Sequence, residues 1–254
     1  MALQAAGHRV ELLEPGPAAT ARLAERPPDV LVARGRSDEL LQLLAVAEAA
    51  GVAVVDSARS VSAVRDKAEM ARRLRRARLP LPLTCLATTT ELAAVPNHAF
   101  PLVLKPRFGD NARGIRLLRD RAALAGAVLH GGGHAADGEL LAQSFVPGDG
   151  RDLKLYGIGR EVVAVRRPAP IALLPDCPPA SSVVELVPVT AALRALAHRC
   201  AEVFGLGLYG VDCVETQAGP VVIEVNDFPN FTGVPDADAL LAAHVKRAAL
   251  GRAR

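Results

Sequence analysis

Two runs of alternating apolar and polar residues, Gly210-Val211-Asp212-Cys213-Val214-Glu215 and Val221-Val222-Ile223-Glu224-Val225-Asn226, flank the turn-forming segment Thr216-Gln217-Ala218-Gly219-Pro220. The pattern predicts a β-hairpin. It constrains the fold more than any other feature because it commits several polar side chains to one sheet face. Residues two apart on a strand share a face, so Glu224 and Asn226 point the same way and Asp212 on the partner strand can face them. Two carboxylates and an amide are costly to bury on a half-apolar hairpin unless something neutralises them. Oxygen donors of this kind suit a hard cation such as Mg²⁺, which usually travels with phosphates. Taken alone, the hairpin is equally consistent with a solvated polar face on a sheet edge.

The chain of 254 residues has room for one large domain or two to three small ones. Half of it is hydrophobic but only 3% is aromatic, without Trp, so the core must be built from Ala, Val and Leu. Thirty basic and 27 acidic residues leave a net charge of +3, too balanced for a general nucleic-acid surface. The basic run at residues 72–78 reads as the solvated face of a helix. Cys85, Cys177, Cys200 and Cys213 form no CxxC pair and read as free thiols of a reducing compartment. No apolar run approaches the ~20 residues of a membrane span. The N-terminus also lacks the basic-then-apolar layout of a signal peptide. A soluble cytoplasmic protein without a membrane or nucleic-acid partner is the expectation.

The first part alternates strand and helix signals, with strands expected at residues 10–13, 29–34 and 52–55 and a helix at 38–50 ending at Gly51. Such alternation argues for a parallel α/β layer. Residues 1–7 look like the end of a helix, so the layer is expected to be truncated at its start. One helix is expected over 60–79, with Ser60 as its cap and Pro80 as its stop. A small second layer follows, with strands at 101–106, 114–118 and 140–146 and a helix at 122–129. His130-Gly131-Gly132-Gly133-His134 reads as a surface loop rather than a metal site. Residues 152–165 read as a strand pair turning at Gly157-Ile158-Gly159-Arg160. A long loop at 166–188, a helix at 189–204 with Thr190 as cap, the hairpin and a terminal helix at 236–250 complete the chain.

Lys105 ends the apolar stretch Pro101-Leu102-Val103-Leu104, so it must point into a polar cleft or meet an anion. The loop Arg107-Phe108-Gly109-Asp110-Asn111-Ala112-Arg113-Gly114 follows at once. Its glycines, Gly109 and Gly114, let backbone N–H groups approach phosphate oxygens. Lys67, near a helix start, supplies a second cation. Gln143-Ser144-Phe145-Val146 closes a strand and offers an apolar edge with backbone groups suited to an adenine, although by itself it is ordinary strand. Asp152 and Lys154 share a strand face, and Arg166 with Arg167 on the next strand read either as a clamp for an anionic group or as a surface pair.

The order of these parts resembles the ATP-grasp superfamily over residues 29–244. Arg65-Asp66-Lys67 with Leu79-Pro80-Leu81-Pro82 is similar to its "DK … (I/L)PxP" signature, and Glu224-Val225-Asn226-Asp227-Phe228-Pro229 to its "E-x-N-x-x-P" metal motif. The resemblance implies an α/β (α+β) class, an ATP-grasp fold with a truncated N-terminal α/β layer at 1–85, a small lobe at 86–150 and a large lobe with the metal site at 151–254. It implies ATP and Mg²⁺ as cofactors, two ions, with Mn²⁺ as the alternative metal. Lys67 and Lys105 then bind phosphates beside Gly109 and Gly114. Gln143, Phe145 and Val146 line the adenine, and Asp212, Glu224 and Asn226 hold the metal. Asp152 and Lys154 join the nucleotide site, and Lys105, Arg166 and Arg167 carry catalysis.

Within the superfamily the chain resembles the RimK-type ligases, which join a carboxylate to an amine through an acyl phosphate. Where those commonly show D-x-R it has Asp152-Leu153-Lys154. That Lys, the Arg-Arg-Pro after the hairpin and the tail Phe228-Pro229-Asn230-Phe231-Thr232-Gly233-Val234-Pro235 are similar to the inositol trisphosphate kinase branch. The leading expectation is a ligase for a small-molecule or peptide acceptor. A small-molecule kinase and a non-catalytic ATP-binding protein are the alternatives. Acceptor identity and oligomeric state stay open.

Overall fold

The computed structural model describes residues 2–35, 37–109, 114–129, 140–169 and 183–251. The N-terminal layer holds α1 (Ala2–Ala5), α2 (Pro17–Glu25), β1 (Val30–Val32), α3 (Asp38–Ala49) and β2 (Ala53–Val55). β1 and β2 pair in parallel, Leu31 opposite Val54. The strand expected at 10–13 is absent; that stretch pairs in no strand ladder and leaves Leu12 87% exposed. An apolar alternation with no neighbouring edge to pair with does not make a strand.

The single helix expected over 60–79 is two helices, α4 (Ala58–Arg65) and α5 (Lys67–Arg76). Asp66 is extended between them, and its carboxylate accepts from Ala68 N and Glu69 N at 3.0 and 3.2 Å. An Asp competes with helix continuation by capping the turn that follows. Ser57, not Ser60, caps α4. The break puts Lys67 in the first turn of α5, which fixes where its side chain emerges.

The small lobe is a four-stranded sheet, order β3-β6-β4-β5, made of β3 (Thr84–Ala87), β4 (Leu102–Pro106), β5 (Arg116–Leu118) and β6 (Leu140–Ser144). β3 crosses the boundary expected at residue 85. Leu102, Leu104, Leu118 and Ala142 face a core with Leu92 of α6 (Thr89–Ala93) and Leu124 of α7 (Arg121–Leu129). Val103, Lys105 and Gln143 therefore face the other way, toward the large lobe.

The large lobe is a five-stranded antiparallel sheet, order β11-β10-β7-β8-β9. Its strands are β7 (Arg151–Ile158), β8 (Glu161–Pro168), β9 (Glu185–Val187), β10 (Leu208–Thr216) and β11 (Gly219–Asp227). β8 and β9 extend into the segment expected to be a loop at 166–188, and the middle of that segment lies outside the described residues. One face packs Leu153, Leu155, Val211, Cys213, Val222 and Val225 against α8 (Ala191–Phe204), α4 and α5. Tyr209 lies over Gly157, where an added Cβ would sit 2.0 Å from its ring. On the opposite face Tyr156, Ile158, Val165 and Leu208 meet β2 and α9 (Ala237–Leu250). The rest of that face is polar and opens on the small lobe.

Candidate nucleotide and metal site

In the hairpin, Asp212 stands opposite Glu224 and Gly210 opposite Asn226. The register shifts between Asp212 and Cys213, so Ile223 is an extra residue in β11. Strict alternation would put Glu224 and Asn226 on the face of Val222, which is core. The bulge reverses the phase and turns both polar residues to the cleft. Bulges commonly re-aim side chains beside active sites in this way.

Asp212 is buried and accepts three charge-bearing or amide donors. These are Lys154 Nζ at 2.7 Å, Arg167 Nη2 at 3.0 Å and Asn226 Nδ2 at 2.8 Å. Lys154 is opposite Asp212 in the β7–β10 register, and its chain runs across Gly210, where a Cβ would lie 2.7 Å from Lys154 Cε. Asp152 sits beside this group, its pKa raised to about 7 by burial and by the negative Asp212. Glu224 Oε1 meets Lys67 Nζ at 3.0 Å, and the same ammonium donates to Gly109 O at 2.6 Å. Lys67 thus joins the start of the glycine loop to a candidate metal ligand.

Across the cleft, Lys105 is buried on β4 and donates to Gln143 Oε1 at 2.8 Å. Gln143 in turn donates to Thr84 Oγ1 at 3.2 Å. Burial pulls the Lys105 pKa down; Glu224 opposes that pull and Lys67 adds to it. The space between the lobes is a cleft of about 600 Å³ open to solvent. Val103, Ile115, Phe145, Val146, Val214 and Ile223 supply its apolar walls, and Lys105, Gln143, Asp152, Asp212 and Glu224 its polar end. An aromatic base fits between such walls, and a polyanion fits where lysines and carboxylates meet.

The model of the RimK-like ATP-grasp domain matches residues 64–245. The chain belongs to the RimK-like ATP-grasp family. The crystal structure of a RimK domain ATP-grasp protein from Sphaerobacter thermophilus superposes with a TM-score of 0.68 at 27% identity, covering 85% of this chain and 79% of that one. Two proteins named probable alpha-L-glutamate ligase are similar in sequence. That of Parasynechococcus marenigrum is 30% identical over 75% of this chain and 41% of its own length. That of Thioalkalivibrio sulfidiphilus is 32% identical over 76% and 65%. The RimK-like chain described here therefore spans less than two thirds of either relative.

In this ATP-grasp fold, Lys67, Lys105, Gln143, Phe145, Val146, Asp152, Lys154, Asp212, Glu224 and Asn226 converge on one cleft or line it. The side chain of Gln143 is engaged by Lys105, so it braces the lysine as well as lining the wall. Gly114 has φ +74°, and a Cβ there would strike Pro106 at 2.9 Å. Residues 110–113 of the loop, the His130–His134 segment and Cys177 lie outside the described residues. The two arginines do not act as one clamp. Arg167 is opposite Asp152 and faces the cleft. Arg166 is on the other face of β8 and pairs with Glu215 at 2.6 and 3.0 Å in an exposed setting. Adjacent strand residues point to opposite faces, which the clamp reading overlooked. Sequence reasoning also missed the apolar walls Val103, Ile115, Val214 and Ile223. Val214 was accessible from its two-residue offset to Asp212, whereas Ile223 depends on the bulge.

Proposed function

We propose that the chain is an ATP- and Mg²⁺-dependent carboxylate–amine ligase working through an acyl phosphate. One observation carries the reading: Asp212, Glu224 and Asn226 share a face with Lys154 and Arg167, opposite Lys105 across the cleft. The donor set fits a hard cation, since both carboxylates and the amide carbonyl are oxygen ligands on one edge of the cleft. Bound there, Mg²⁺ supplies charge neutralisation for the polyphosphate.

The protein's part is to place and neutralise. Lys105 and Lys67 hold phosphate oxygens, and the apolar walls hold the base. A substrate carboxylate oxygen bonds to the γ-phosphorus as the bond to the ADP oxygen breaks. Arg167 and Lys154 face the oxygens that gain charge. The amine nitrogen then bonds to the acyl carbon, inorganic phosphate leaves, and the amine proton passes to the departing phosphate or solvent. A kinase for a polyanionic acceptor needs a dense cationic surface; with Arg166 turned to Glu215, Arg167 is the arginine of that pair left to serve it. The relatives' names make L-glutamate the first substrate to try. The test is ATP consumption across amino acids and short peptides with product identification. An amide together with ADP and phosphate is expected, and a phosphorylated product in place of an amide overturns the reading.

A further inference from the structure

Arg107 is the first residue after β4 and opens the glycine loop, yet its side chain turns back to the break between α4 and α5. Its Nε lies 3.1 Å from each oxygen of Asp66, and its Nη2 lies 2.8 Å from Oδ2. The pair is partly shielded, with side-chain exposures of 36% and 18%. The Arg107 guanidinium also covers the ring of Phe108, 5.3 Å from its centroid. The backbone repeats the connection, since Lys67 N donates to Arg107 O at 3.1 Å. Two residues on, Gly109 O accepts from Lys67 Nζ, the ammonium that also meets Glu224. The start of the glycine loop is thus held at three points by two consecutive residues, Asp66 and Lys67. One of those residues also touches a candidate metal ligand.

We propose that Asp66 and Arg107 are a positioning pair that fixes residues 107–109, the start of the glycine loop, at the phosphate end of the cleft, so that Lys67 spans Gly109 and the candidate metal ligand Glu224 together. The inference rests on the nucleotide reading of the cleft. Neither side chain of the pair lines the cleft. Their effect on ATP passes through Gly109 and Lys67. Asp66 meanwhile has a second duty as cap of α5, through Oδ1. Nearby cationic and backbone donors hold its carboxyl below the ordinary value against the opposing pull of burial. The carboxylate form is therefore the one present at neutral pH.

The two duties separate in Asp66→Asn. Asn caps a helix as well as Asp does, and it keeps Oδ1 for Ala68 N and Glu69 N. In place of Oδ2 it presents an N–H to the Arg107 fork, which the guanidinium cannot accept. Arg107→Lys keeps the charge and loses the fork. Calorimetric titration with ATP, ADP and AMP in Mg²⁺ buffer reads the consequence. Each variant is expected to bind ATP and ADP about three- to tenfold more weakly, the scale of a partly exposed charged pair. AMP affinity and the melting temperature are expected to hold, and the double variant to be no weaker than either single one, since both remove one contact. Equal losses for AMP and ATP, additive losses, or unchanged ATP affinity in both single variants overturn the inference. Wild-type protein that binds none of the three nucleotides overturns the cleft reading itself, an outcome distinct from the others.

Discussion

At the residue scale the site is a set of buried charges that satisfy one another. Removing one partner of such a group leaves the other uncompensated, and that cost exceeds the net worth of the pair. Arg167 and Arg166 make the contrast sharp. Arg167→Ala strips a cation from Asp212, which lies beside an Asp152 already raised to about 7 by burial and by that same neighbour. Turnover is expected to fall at least about tenfold, the least that one lost charge-assisted contact of about 1.5 kcal/mol allows. Arg166→Ala removes an exposed pair with Glu215, worth about 0–1 kcal/mol at most, and activity should stay within about twofold of wild type. Steady-state rates of the two variants, with melting curves to show that both fold, decide it; similar losses in both would count against the face assignment. Lys105 makes the second test. Lys105→Met keeps the bulk of the stem in a buried position and removes the charge that burial already disfavours. ATP binding should weaken by about 1.5–3 kcal/mol, the scale of a hydrogen bond from a charged donor. Calorimetry that returns the wild-type affinity moves Lys105 out of the phosphate site.

At the element scale, Asp56 at the end of β2 joins the N-terminal layer to the large lobe. Its carboxylate accepts from Gly207 N at 2.7 Å and Leu208 N at 3.1 Å, at the start of β10. Burial, the largest influence, raises its pKa from 3.8 to about 6. A carboxyl whose folded pKa lies above its unfolded one favours folding when protonated. Its contribution is therefore intact below about pH 4 and is lost as pH rises toward about 6. Asp56→Asn removes the titration but turns a donor toward Leu208 N. The variant should be less stable than wild type at pH 5, and the gap should narrow by pH 7. Melting temperatures of both proteins across that window test this; a constant gap means that Asp56 titrates as an exposed carboxyl. The same scale shows what the sequence discloses. Alternation in the hairpin marks Asp212, Glu224 and Asn226, but it also gives Val222 their face, because a bulge adds no residue type that announces it. Helical spacing over 60–79 is real on both sides of Asp66. The break was written in the capping chemistry of that Asp and not in the apolar period. β9, three residues long, forms because β8 offers an edge, a tertiary cause that local pattern does not contain.

At the scale of the whole molecule, the N-terminal layer, the large lobe and the loop after Asn226 meet in a row of rings. Tyr156 lies 5.6 Å from Phe231, and Phe231 lies 6.1 Å from Phe228. Lys154 stands over Tyr156 at one end of the row and Arg34 over Phe228 at the other, each 5.7 Å from the ring centroid. In a chain with eight Phe and Tyr residues and no Trp, three of them gather here. Two of these, Phe228 and Phe231, hold positive φ, of 28° and 50°, a conformation that packing must sustain. Arg34 follows β1 at the carboxyl end of the parallel pair, the edge where open α/β sheets receive ligands. It also donates to Asn230 Oδ1, four residues beyond Asn226. The loop that follows Asn226 is therefore braced by the N-terminal layer through Arg34 and by the large lobe through Tyr156. The expectation is that ATP and the acceptor depend on different parts of the molecule. Arg34→Ala releases Asn230 and the Phe228 ring, none of which lines the cleft. It is expected to raise the KM for the carboxylate or amine substrate by about fivefold or more, of the order of 1 kcal/mol for an exposed cation–π contact plus one hydrogen bond, with ATP affinity unchanged. The measurement is acceptor KM at saturating ATP beside calorimetric ATP binding. A parallel loss of both would mean that the layer supports the fold of the whole cleft, whereas a selective rise in acceptor KM assigns the N-terminal layer to acceptor recognition.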